Sequence, residues 1–295
     1  MSIYLEYPVI QVRPYGLLTY TQRELPRSKR NNHSFTREKK ESYTGKLTTF
    51  SKKKLKRAIG LMVEVAKDKE ATNFKTNKTF RFKINFITFT LPAPQGNVDD
   101  KTIKTCLNNW IKRARRKHKL CSYVWRAERQ ANGNIHFHMI TDTYIHFRVV
   151  RDDWNEVLKP TGLIDKFKAK HHHENPNSTD IHAVWKVKNL VQYFVKYMSK
   201  EHKDGEEPIQ GKIWDCSTNL KTKENCWEIM EGIYYDNFFE LSKNKTIKRI
   251  DDTMFTILLI PKTKWKEYIC PELLKKWDEY IERIRLKGYE LGDVS

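Results

Sequence analysis

The sequence predicts an α/β-layered sheet with at least some antiparallel pairing. Segments rich in β-branched and aromatic residues alternate along the middle of the chain with stretches of helical period. Two of those segments flank Asn132-Gly133, a hairpin signal. The 295 residues, 39% hydrophobic and 12% aromatic, supply a core for one large domain or two modest ones and exclude wholesale disorder.

The elements follow in order. From Gln22 to Arg57, thirteen Lys and Arg meet three acids, and Pro26, Ser28, Asn31 and Asn32 break any period. Arg23 to Lys46 therefore reads as an arm or long loop, either a solvated surface or a DNA-contacting arm. Ser51 reads as the N-cap of a helix with Leu55, Ala58, Ile59, Met62, Val63 and Ala66 on its apolar face. Phe82 to Leu91 reads as a buried strand stopped by Pro92. Asp99 or Asp100 can cap a helix carrying Ile103, Leu107, Trp110 and Ala114 at helical spacing. From Lys101 to Lys119 that helix has eight Lys or Arg and no acid, which favours a phosphate-contacting face through Lys112, Arg113, Arg115 and Arg116. Tyr123 to Glu128 and Ile135 to Ile140 read as the hairpin strands. Val184, Val187, Val191, Phe194 and Met198 mark one face of a further helix. Met254 to Ile260 is a strand candidate and Pro271 to Arg285 an amphipathic helix. Trp125, Trp154, Trp185 and Trp214 are expected in the core. His118 and His146 read as surface or packing residues, and His171-His172-His173 as a solvated loop.

The formal net charge is +20, so polyanions are the expected partner class. No apolar run approaches a membrane span, and Met1 to Val12 lacks the pattern of a secretory leader. Five scattered cysteines without a C-x-x-C pair fit reduced thiols in a cytosol. No G-x-x-x-x-G-K-[ST] is present, so no fused P-loop helicase is expected.

Side chains alternate across a strand, so His136 and His138 share one face while Ile135, Phe137 and Met139 take the other. Two imidazoles and the Glu128 carboxylate would make three ligands with coordination positions left open, the arrangement of a catalytic metal site. A two-residue turn would pair Glu128 with Phe137 and send the carboxylate to the wrong face. The metal reading therefore requires a three-residue or bulged loop, for which Gly133 can take the left-handed conformation. Tyr193 and Tyr197 stand at i and i+4 of a helix, near enough for both hydroxyls to visit one site, with Lys196 and Lys200 each three residues on. Read alone, the tyrosines also fit half-buried rim residues of an amphipathic helix.

Glu128-x7-His136-x-His138 followed by Tyr193-x3-Tyr197 resembles the HUH endonuclease superfamily of rolling-circle initiators, transposases and relaxases. The helix YFVKYMSK is similar to the two-tyrosine motif of the gene A-type initiators of small single-stranded DNA phages. Phe86 to Pro92 is similar to the superfamily's first motif. Gly211 to Ser217 resembles a G-[KR]-x-W-G-x-S stretch of some initiators, with Asp215 in place of its glycine. The resemblance implies an α+β fold, an antiparallel sheet of about five strands flanked by helices, over residues 81–225. Residues 1–80 would be a basic arm and helix, and residues 226–295 an extension packed on the nuclease. It further implies an initiator that nicks and joins single-stranded DNA at an origin through a 5′-phosphotyrosine. Glu128, His136 and His138 would hold Mg²⁺ or Mn²⁺, Tyr193 and Tyr197 would be nucleophiles with Tyr193 acting first, and Lys196 and Lys200 would be electrostatic helpers. Helicase and polymerase would come from the host, in the cytoplasm of a bacterium. A two-tyrosine transposase and a non-catalytic basic DNA-binding module are the alternatives.

Overall fold

The computed structural model describes residues 5–24, 45–73, 76–184, 189–199, 207–222 and 224–290. The first half of the chain runs β1 (Leu5–Arg13), β2 (Gly16–Glu24), α1 (Thr49–Val65), β3 (Lys69–Asn73), β4 (Lys78–Phe82), β5 (Ile84–Phe89), α2 (Asp100–His118), β6 (Tyr123–Arg129) and β7 (Ile135–Thr141). Then follow α3 (Phe147–Leu158), α4 (Leu163–His171), β8 (Thr179–Val184), α5 (Leu190–Met198), β9 (Trp214–Cys216), β10 (Cys226–Ile229), α6 (Ile233–Lys243), β11 (Lys248–Asp251), β12 (Phe255–Leu259), α7 (Trp265–Tyr268) and α8 (Pro271–Glu290). These elements make two compact units. Residues 45–222 and 284–290 belong to one, residues 5–24 and 224–283 to the other.

The first unit is built on a five-stranded sheet in the order β8-β5-β7-β6-β9, every neighbouring pair antiparallel. It is the α+β architecture expected, an antiparallel sheet flanked by helices. One face carries Ile87, Phe89, Trp125, Ile135, Phe137 and Met139 into a core completed by Ile103, Leu107 and Trp110 of α2 and Trp154 of α3. The Phe89 ring meets Trp110 at 4.7 Å and Trp154 at 5.0 Å. The other face is covered by α5, whose Phe194 stacks on Phe86 at 6.2 Å, with α1 packed beside α5.

Several local expectations shift. The cap of α1 is Thr48, whose side chain accepts from Ser51 N, and the Ser51 hydroxyl instead accepts from Trp214 Nε1 at 2.6 Å. Trp214 is accordingly half-buried at this bond rather than sunk in the core. The strand expected over Phe82 to Leu91 is divided at Lys83, where β4 ends and β5 begins. Val184 is not helical: it closes β8 opposite Ile84, and α5 starts only after Asn189, whose side chain caps Gln192 N. Val187 and Trp185 lie outside the described residues, as does most of the expected arm. His171 to His173 are exposed and close α4, with His172 in the left-handed region, φ 60°.

The second unit holds a sheet in the order β10-β1-β2-β12-β11. Its first two strands fall where an arm was expected. Val9, Ile10, Gln11 and Val12 are all buried, so β1 shows no alternation to read, and Pro8 reads as a breaker. Pro8 is tolerated because the pairing with β10 starts at Val9↔Ile229, so its missing N–H faces no β10 partner. At Gly16, φ 134°, a Cβ would stand 2.1 Å from Leu258 O, so only glycine lets β12 close against β2. Trp265 and Trp277 pack at 5.6 Å, and Lys276 of α8 pairs with Glu228 of β10 at 2.6 Å.

Candidate active site

The β6–β7 hairpin sets the site. Gln130 N donates to Asn134 O at 2.8 Å and Gly133 N to Gln130 O at 2.9 Å, leaving a three-residue loop of Ala131, Asn132 and Gly133. Gly133 takes φ 81°, the left-handed conformation that such a loop needs. Glu128 then pairs directly with His136, and Arg126 with His138, so all four side chains share one face. The hairpin root is tied down by Arg129, whose guanidinium grips both oxygens of buried Asp100 at 2.9 and 2.8 Å.

Glu128 Oε2 lies 3.6 Å from His136 Nε2 and 3.5 Å from His138 Nε2. One ligand atom from each residue lies within 4.8 Å of the others, and all three side chains are half-buried. Donors bound to one ion at about 2.1 Å stand about 3 to 4 Å apart, so the set suits a single divalent cation. Both ring nitrogens of His136 and Glu128 Oε1 are buried without a hydrogen-bond partner, atoms that a cation or its waters would satisfy. Burial opposes ionisation of Glu128, but the His136 and His138 imidazoles and the Arg126 guanidinium outweigh it. Its carboxyl is held well below the usual carboxylate range. Arg126 is 1% exposed and its Nε stands 3.5 Å from Glu128 Oε1, so the carboxylate turns one oxygen to the guanidinium and the other to the imidazoles.

Tyr193 and Tyr197 lie one turn apart on α5 with ring centroids 5.3 Å apart. Tyr197 is 37% exposed and its ring reaches His138 at 6.3 Å, edge to face. Phe86 joins the two, 5.4 Å from His138 and 5.6 Å from Tyr197. Tyr193 packs on Phe194 at 5.3 Å, and burial together with Tyr197 pushes its phenol up. Lys196 is exposed on α5, while Lys200 lies outside the described residues. Sequence alone did not single out Thr88, Phe86 or Arg126 individually. Alternation marks the even-numbered residues of β5 and β6 as one face, but not which of them stand beside the histidines.

The basic helix sits elsewhere. Its apolar side joins the Phe137 core, so α2 covers the face of the sheet away from Glu128 and the histidines. Asp99 caps it, one of the two residues expected. Its charges are not all of one sign in space: Arg113 pairs with Asp153 of α3 at 3.3 Å, and His118 contacts the same carboxylate at 3.1 Å. Lys112 and Arg116 are exposed, and Arg113 and Arg115 half-buried.

Residues 84–202, from the start of β5 past the end of α5, match the family of replication-associated proteins described by the name ORF2. That match supports a rolling-circle replication-initiator family for this stretch, which contains the cluster and both tyrosines. No curated protein and no solved structure matches the chain. Among the described residues no helix is long and apolar enough to cross a membrane.

Proposed function

We propose that the chain is a rolling-circle replication initiator that nicks and rejoins single-stranded DNA at an origin through a tyrosine. The observation that carries this reading is the Tyr197 ring beside His138, one member of a three-residue set suited to a divalent ion. Glu128, His136 and His138 would hold Mg²⁺ or Mn²⁺, which when bound polarises the scissile phosphate. A phenol oxygen attacks phosphorus, the P–O3′ bond breaks, and the 3′-oxygen leaves with a proton as a primer end. The tyrosine keeps the 5′-phosphate as an ester, which conserves the bond energy for later joining.

Ring positions favour Tyr197 for the first attack, the reverse of what the resemblance implied. Tyr197 is the tyrosine against His138, whereas the raised pKa of the Tyr193 phenol disfavours its reactive phenolate. Tyr193, one turn behind, would take the second transfer. Lys196 and Lys200 would steady the phosphate, and unwinding and synthesis would fall to a helicase and polymerase of the host. Labelled single-stranded origin DNA incubated with the chain and Mn²⁺ should yield a protein–DNA adduct that survives denaturing electrophoresis. Absence of any adduct across a library of single strands would leave only a DNA-binding role.

A further inference from the structure

The strand Phe86-Ile87-Thr88 carries a recognisable motif but has so far been given no task in the chemistry. We infer that Thr88 is a positioning residue for His138, deciding which imidazole nitrogen is offered to a divalent cation. The inference rests on the metal site proposed above and assigns part of its construction.

Thr88 on β5 is the direct cross-strand partner of His138 on β7, and its Oγ1 lies 3.1 Å from His138 Nδ1. A neutral imidazole carries one proton, so one nitrogen donates while the other presents a lone pair. Nε2 of His138 faces Glu128 Oε2 at 3.5 Å, on the side where a cation would sit. Nδ1–H therefore donates to the Thr88 hydroxyl, leaving the Nε2 lone pair aimed at the cluster. A β-branched residue has few side-chain rotamers in a strand, so this acceptor holds its place with little entropy left to lose. Phe86, two residues earlier on the same face, packs on the His138 ring at 5.4 Å and limits its tilt. His136 has no such bond on either nitrogen. The pair thus comprises one anchored imidazole and one free to adjust to the ion. Ile87, between the two, points to the opposite core, which accounts for the polar and apolar alternation of the motif.

The test is a Mn²⁺ titration followed by electron paramagnetic resonance, on the full chain and on Thr88→Val, Thr88→Ser and the His136→Ala, His138→Ala double variant. Thr88→Val keeps the branched shape without the hydroxyl and should bind Mn²⁺ about 10- to 100-fold more weakly. Thr88→Ser, which restores the acceptor, should recover most of that loss, an outcome that packing alone would not give. If Thr88→Val fails to fold by circular dichroism, Thr88→Ala gives the same comparison. Binding by the valine or alanine variant within about twofold of the parent would overturn the assignment and leave the metal site standing. A parent that binds no more Mn²⁺ than the double histidine variant would overturn the metal site and Thr88's role with it.

Discussion

His136 and His138 stand two positions apart on one strand, yet one is hydrogen-bonded and the other is not. Both should be needed for chemistry. The His136→Ala, His138→Ala double variant is expected to fold and to form no covalent DNA adduct, and a chelator should silence the parent to the same degree. Full activity of the double variant in excess chelator would dismiss the cluster. The tyrosines should separate in single-turnover assays: Tyr197→Phe should slow the first adduct about tenfold more than Tyr193→Phe, a barrier difference of about 1.4 kcal/mol. Equal rates would remove the preference for Tyr197. The ligand set was legible from sequence because a period of two sorts residues onto faces without any tertiary knowledge. Phe86, Thr88 and Arg126 were not, because their meaning depends on which residue lies across the next strand. That register comes from a turn type and a sheet order.

A three-residue loop holds Glu128 in register, and a Cβ added to its left-handed Gly133 would meet no neighbouring atom within 4 Å. Gly133→Val should therefore cost only backbone strain, about 1 to 2 kcal/mol, read as a lower urea midpoint. Breaking the clamp at the hairpin root should cost more. Arg129→Leu leaves Asp100 buried and charged without its guanidinium and is expected to lose about 3 to 5 kcal/mol. A loss below about 1 kcal/mol would mean that the pair is dispensable. Helix α2 was legible almost to its ends, because an Asp cap and a regular apolar stripe are both local. The joint between β8 and α5 was not: Val184 falls in step with the apolar face of α5 while its backbone is already committed to pairing with Ile84.

Charge is divided unevenly across the molecule. Residues 41–222 and 284–295 carry 37 Lys and Arg against 21 Asp and Glu, while the remaining residues carry 19 against 15. Affinity for single-stranded DNA should therefore fall steeply with salt. Replacing Lys112 and Arg116 together by Ala tests the outer side of α2. Loss of two phosphate contacts would flatten the log–log slope by about 1.4, and an unchanged slope would mark that side as merely solvated. Arg113, occupied by Asp153, should contribute little.

The sheet of the second unit was invisible in sequence because its partners are far apart: β1 lies between β2 and β10, and β2 pairs with β12. That separation sets a timetable. About 200 residues must be translated between Glu24 and Cys226, which at about 5 to 20 residues per second takes about 10 to 40 seconds. For that interval the β1–β2 hairpin emerges from the ribosome with both outer edges open, the state in which strands find wrong partners. The β5–β7 sheet, whose strands lie within sixty residues of one another, can close while the hairpin is still waiting. A newborn chain would thus own its histidine cluster before its first strands have found their sheet, and slow or stalled translation beyond β9 would expose the hairpin rather than the nuclease.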